Sequence, residues 1–253
     1  MQVDYPSVAT VWPEPQANAI GFTTTNRGLS GGDGTMAAVD LAGARNREAL
    51  GKALARANHG QNVAIQWVQQ THGIANVYAS VASTQQLPVA DAVWTDQPGI
   101  ALAIQTADCV PVLFVHRQGA LVAAAHAGWR GLLAGVIEAL VSSLPVAPAD
   151  LQAWIGPCIG VSYFEVGRDV WAVVQDQCPQ AVLLHARDPA KRMVDLVRLT
   201  QWRLQSCGVV QIGAVQRCTY ADAAFYSHRQ ATVENGVGAK TGRMASVVML
   251  QDR

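Results

Sequence analysis

The 253-residue chain carries little charge, few aromatics and no long apolar run. Basic and acidic residues number 18 each and together make up 14% of the chain. No basic run or Lys/Arg-rich helix stands out, which argues against nucleic acid or a membrane surface as the main partner and for a small molecule. No apolar stretch approaches the roughly 20 residues that span a bilayer. The opening MQVDYPSVATVWP has early acid and proline where a signal peptide needs a charged-then-apolar pattern. Five cysteines, an odd number without tight spacing, make no disulfide framework. A reducing, cytoplasmic location is therefore expected, with thiols free to act as metal ligand or nucleophile. Internal repeats, low-complexity segments and linkers are missing too. The Gly-rich GLSGGDGT (Gly28 to Thr35) is followed by no GKS or GKT, so it is not a phosphate-cradling loop. It is expected to be a flexible loop that closes over a site. There is no Gly-x-Ser-x-Gly nucleophile elbow.

Half of the residues are hydrophobic, enough for a sizeable core. Periodicity predicts a helix over Asn46 to Asn58 and a strand over Val63 to Val68. Strands follow at Ile100 to Gln105, Val110 to Val115 and Leu121 to Ala125, then a helix from Leu132. Further on come a helix over Arg168 to Gln177, a strand at Val182 to Leu184, and a helix over Val194 to Cys207 stopped by Gly208. Strands at Val209 to Val215 and Ala245 to Leu250 close the chain. Strands and helices mix without strict alternation. The expectation is α/β: one domain over residues 1–253, with a mixed β-sheet flanked by helices.

Three short stretches concentrate reactive residue types: QQTHG with His72, TADC with Cys109, and HAGWRG with His126. Two imidazoles and a thiolate make a good zinc set, since catalytic zinc takes three N/S/O protein ligands and keeps a fourth position open. HAGWRG falls at a strand-to-helix turn, where ligands of helix-flanked sheets bind. Gly128 and Gly131 there suit sharp backbone or close approach to a ligand. Cys109 meets His126 if the runs before and after TADC are neighbouring strands. Spacing alone leaves other readings open: His72 as a turn residue, Cys109 as a small buried hydrophobe, His126 as a core histidine. Asp108 is either an orienting group or a turn carboxylate. Cys158 in IGPCIG is either a second thiol of the site or packing. Arg229, Lys240 and Arg243 cluster late in the chain, as an anion site or as solvated charges.

WVQQTHG, QTADCVPVLF, AAAHAGWRGLLAGV, AWIGPCIG, FEVG, RCTY and KTGRMA, in that order, resemble the YfiH-like laccase-domain family over about Gly21 to Leu250. That family is also known as the multicopper polyphenol oxidase or purine nucleoside phosphorylase family. The resemblance implies a single α/β domain with zinc on His72, Cys109 and His126. It further implies phosphorolysis of adenosine, inosine and methylthioadenosine to base and ribose 1-phosphate, with adenosine deaminase activity. Two departures stand out. The family entry FTTRxGGVS reads FTTTNRGLS here, so Thr25 takes the arginine position and Arg27 lies two residues later. His228 stands where an aromatic residue is common.

A zinc ion on such a set lowers the pKa of water toward about 7, which serves deamination, with Asp108 as candidate proton shuttle. Phosphorolysis also needs a phosphate site, for which Arg130, Arg229 and Arg243 are the candidate guanidiniums. Other readings are a copper polyphenol oxidase, an amidase that edits peptidoglycan precursors in the cytoplasm, and a binding protein with structural zinc. Ordinary multicopper oxidases need clustered histidines, often as HxH. Six histidines without an HxH cannot house three or four coppers.

Overall fold

The computed structural model of the protein describes residues 5–16, 18–25 and 44–252. Among them, strands and helices, numbered in chain order, build three sheets and their covering layers. The first sheet holds β1 (Ser7–Ala9), β2 (Ala19–Thr24), β3 (Ala64–Trp67), β6 (Ile100–Thr106) and β14 (Met244–Leu250), ordered β1-β2-β14-β6-β3. The second holds β4 (Asn76–Tyr78), β5 (Ala92–Thr95), β7 (Val110–His116), β8 (Val122–Ala127), β9 (Leu151–Ile155) and β13 (Gln211–Ala214). Its order is β13-β9-β7-β8-β5-β4. A small antiparallel sheet joins β10 (Glu165–Val166), β11 (Val182–Leu184) and β12 (Arg192–Val194). The helices are α1 (Ala44–Ala57), α2 (Trp129–Ala134), α3 (Val136–Ser143), α4 (Arg168–Gln177), α5 (Leu196–Ser206) and α6 (His228–Asn235).

Side-chain alternation along strands sorts the apolar residues into layers. Ile100, Leu102 and Ile104 of β6 pack with Leu113, Val122, Ala124 and Val248 in a core between the two large sheets. Ala101 and Ala103, one step out of phase, pack with Val247 and Met249 against Leu50 and Leu54 of α1. On the far side, Val112, Phe114 and Ala125 meet Ile137 and Leu140 of α3 and Leu199 of α5. The molecule is thus layered as helix, sheet, sheet, helices. Truncating a side chain such as Leu102, fully buried, to alanine costs about 2–5 kcal/mol.

The α/β class holds, but the strands divide between two mixed sheets packed face to face. Sequence periodicity did not reveal this, because β7 and β14 are buried at every position. Strands covered on both faces read as unbroken apolar runs. The helix expected from Leu132 starts at Trp129 and breaks at Gly135, whose φ of 98° only glycine adopts readily. Gly208, at φ 85°, ends α5 as expected. Among the described residues no helix is long and apolar enough to cross a membrane.

Candidate metal centre

The site forms where the chain crosses between sheets. β6 ends at Thr106 in the first sheet and β7 begins at Val110 in the second, so TADC is the crossover itself. Cys109 meets His126 without the runs flanking TADC pairing, since β6 and β7 lie in different sheets. It is β7 and β8 that pair, with Pro111 opposite His126, and Cys109 lies just beyond that register. Asp108 makes the crossing at φ 87°, a strained conformation for a non-glycine residue. His126 is not in the turn but within β8; one residue, Gly128, then separates that strand from Trp129 and Arg130 of α2.

His72 reaches the same point from the loop after β3. The donor atoms of His72, Cys109 and His126 all lie within 4.8 Å of one another, a group that can hold a metal ion. Cys109 Sγ is 3.7 Å from His72 Nε2. A tetrahedral zinc holds sulfur and nitrogen ligands roughly 3.5 Å apart, so the donor set fits such an ion. Gly128 makes room for it. A Cβ there would stand 2.7 Å from His72 Cδ2 and 3.2 Å from Cys109 Sγ. The backbone at Gly128 is ordinary, with φ −63°, so close approach and not a sharp turn is what requires this glycine.

Asp91, a residue that sequence reasoning passed over, organises both histidines. Its Oδ1 lies 2.8 Å from His126 Nδ1 and accepts from the His72 amide at 2.9 Å. Its Oδ2 accepts from the amides of Thr71 and Gly73 and from the Thr71 hydroxyl. With Nδ1 thus engaged, His126 turns Nε2 toward the site, and the His72 turn is held at φ 61°. No local pattern marks Asp91. It stands just before β5, and its position follows from the pairing of Ala92 with Ala125 on β8.

The charges reinforce one another. Burial works against the Asp91 carboxylate, but hydrogen bonds from His126 and from the Gly73 and Thr71 amides hold its pKa down to about 2. Burial likewise opposes charge on Cys109 and His126. Hydrogen bonds to the two histidines nevertheless pull the thiol to about 6. Asp91 and Cys109, accepting from the imidazole, push its pKa up to about 9. Both shifts favour the charged thiolate–imidazolium pair; the thiolate is the form that binds metals, and His126 gives up its proton when it ligates.

The three donors sit in a cleft of about 690 Å³ whose lining also includes Asp108, Arg130, Arg229 and Arg243. Their side chains are not equally available. The Asp108 carboxylate accepts from the hydroxyls of Thr219 and Ser227 and from the Arg229 amide. The Arg229 guanidinium donates to the carbonyls of Tyr163 and Glu165, and that of Arg243 to those of Thr241 and Gly242. Arg130 is exposed, its guanidinium 4.2 Å from the centre of the Trp129 ring. His228, the first residue of α6, also lines the cleft. Cys158 does not join the donors. It is buried in the helix-covered core, and burial first, then nearby carboxylates and thiols, pushes its thiol up. Thr25 is buried, its amide bonded to the Pro6 carbonyl. Arg27 and the Gly-rich stretch from Gly28 to Gly34 lie outside the described residues. Lys240 is absent from the cleft lining.

Comparison with known proteins agrees with this architecture. Residues 19–251 match the family model described as multi-copper polyphenol oxidoreductase laccase. A purine nucleoside phosphorylase of Pseudomonas aeruginosa is 44% identical over 190 residues, 74% of each chain. The purine nucleoside phosphorylase YfiH of Escherichia coli is 40% identical over 188 residues, 73% of each. Among solved structures, a Neisseria meningitidis protein superposes with a TM-score of 0.82 at 31% identity, covering 98% of this chain and all of that one. YlmD of Geobacillus stearothermophilus gives 0.76 at 28% identity and 93% coverage of both. The chain belongs to the multi-copper polyphenol oxidoreductase laccase family, the family of the YfiH proteins.

Proposed function

We propose that the chain is a zinc-dependent purine nucleoside phosphorylase acting on adenosine, inosine and methylthioadenosine, and that it also deaminates adenosine. The observation that carries this reading is a three-donor N/S cluster set in a 690 Å³ cleft that several arginines line. Relatives at 40% identity and above bear the phosphorylase name, which supports it. Thiolate and imidazole together suit zinc, and three ligands leave a position open. Copper oxidation of the multicopper kind finds no support, because among the described residues one donor group is present. A closed structural zinc needs a fourth ligand, and Cys158 lies in the core instead.

When bound, the metal acts as a Lewis acid and lowers the pKa of water. The protein's own residues do the rest. Asp91 fixes the tautomer of His126 and the turn of His72. Arg130, with no hydrogen bond or ion pair among the described residues, offers its guanidinium to the phosphate. Arg229 and Arg243 keep positive charge in the walls while their carbonyl contacts hold them still. Asp108, whose carboxylate accepts from Thr219, Ser227 and the Arg229 amide, positions the Cys109 crossover. Five free thiols fit a reducing cytoplasm, the location we assign.

Product analysis of zinc-loaded protein with adenosine tests the reading. Adenine and ribose 1-phosphate are expected only when phosphate is supplied, and inosine with or without it. Absence of all three products would remove the proposal and leave the amidase reading to be tried on peptidoglycan precursors.

A further inference from the structure

His228 is held beside the donor cluster by its two chain neighbours. The Asp108 carboxylate accepts from the Ser227 hydroxyl at 3.0 Å and from the Arg229 amide at 2.7 Å. His228, between them, is thereby tied to the residue that precedes Cys109, and it lines the same cleft as the three donors. Ile159, whose amide donates to the Asp108 carbonyl, lines the cleft too, as does Phe164, 5.7 Å from the Arg229 guanidinium. The polar side chains of this wall are engaged by the protein, Asp108 through Thr219 and Ser227 and Arg229 through the carbonyls of Tyr163 and Glu165. His228 differs. It is exposed, and its imidazole makes no hydrogen bond, ion pair or ring contact among the described residues.

A cleft wall with apolar residues and one available polar group suits a flat ring system oriented by a single hydrogen bond. The purine base is such a ring, while the phosphate is served by a guanidinium. Adenosine and inosine differ at N1 and C6, so a group that serves both must meet an atom they share. N3 and N7 are their shared ring acceptors. N3 lies on the edge beside the ribose and N7 on the opposite edge, where a side chain of the wall can meet it. An imidazole offers an N–H donor whether neutral or protonated. We propose that the His228 imidazole donates a hydrogen bond to N7 of the purine base. As the bond from C1′ to N9 breaks, electron density moves onto the base, and that hydrogen bond strengthens. This rests on the phosphorylase reading and adds to it the residue that recognises the base.

The test crosses two proteins with two ligands. Zinc-loaded wild type and His228→Phe are each titrated calorimetrically, without phosphate, against inosine and 7-deazainosine. The analogue carries C–H in place of N7, and phenylalanine keeps a flat ring without a donor. Wild type is expected to prefer inosine by roughly three- to tenfold, the range of one net hydrogen bond. In His228→Phe the two ligands should bind alike. With phosphate supplied, its kcat/KM for inosine should fall by at least a similar factor. Zinc content and Tm should stay at wild-type values, because the imidazole has no partner among the described residues. Equal binding of the two ligands by wild type, or a preference that survives in His228→Phe, overturns the inference and leaves the phosphorylase reading intact. Lost zinc in His228→Phe overturns it too, by assigning the imidazole to the metal centre. A wild type that binds no inosine overturns this inference and the phosphorylase reading together.

Discussion

The donor cluster and the arginines around it occupy one cleft but are held in different ways. Of the donors, His126 is buried and bonded to Asp91, while the exposed His72 is held through its backbone amide and its contact with Cys109 Sγ. One buried carboxylate takes bonds from His126, the His72 amide and the flanking Thr71 and Gly73, and Gly128 leaves no spare space. Arg130, by contrast, lies exposed against a tryptophan ring. A metal tolerates little error in ligand geometry, whereas an anion can be met by a guanidinium that settles on binding. Substitutions around the donors should therefore disturb metal, stability and every reaction together, and Arg130 substitutions should separate the reactions.

The largest effect is expected at Asp91. Asp91→Ala strips the partner from a buried His126 and from the amides of the His72 turn, at a cost of about 3–5 kcal/mol. Chemical denaturation of the metal-free protein should show that loss, and metal analysis a depleted site. Near-wild-type stability would mean that the His72 turn holds itself. The same carboxylate sets an acid limit. Its pKa is about 2 in the folded protein against an ordinary 3.8. Its contribution is therefore fully present above about pH 4 and lost as pH falls through about 2. Denaturation curves of wild type and Asp91→Asn should accordingly converge at the acid end and separate above it.

Next comes Gly128→Ala, whose new methyl must displace His72 or Cys109. A displacement of about 1 Å costs on the order of a hundredfold in activity, and weaker metal retention against a chelator should accompany it. Unchanged retention would show that the loop carrying His72 yields freely, and the contrast with Arg130 would shrink.

The smallest effect is expected at Arg130. Arg130→Ala should lower phosphate-dependent release of adenine by roughly tenfold, while zinc content and conversion of adenosine to inosine fall much less. Equal loss of both reactions with a lowered Tm would place Arg130 in the rigid part of the site.

The sequence showed the donors more readily than what holds them. His72, Cys109 and His126 stand out because reactive residue types are scarce in this chain and each sits in a distinctive short stretch. Helix α4 and strand β11 match their expected bounds, Gly167 preceding the helix and Pro179 lying between the two. The division into two sheets was hidden because β6, β7 and β14 are buried nearly throughout, which erases the alternation that would separate one face from the other. Helix α6 was missed for the opposite reason, with only Ala231 buried. Asp91 was out of reach. A lone acid acquires meaning only when β5 pairs with β8 and sets it beside His126.

The central claim is that His72, Cys109 and His126 hold one zinc on which phosphorolysis depends. Metal content and adenine release, measured together on wild type and Cys109→Ser, test it most directly. About one zinc per chain and phosphate-dependent turnover are expected in the wild type, and both should be lost in the variant. Full zinc and full turnover in Cys109→Ser would contradict the account.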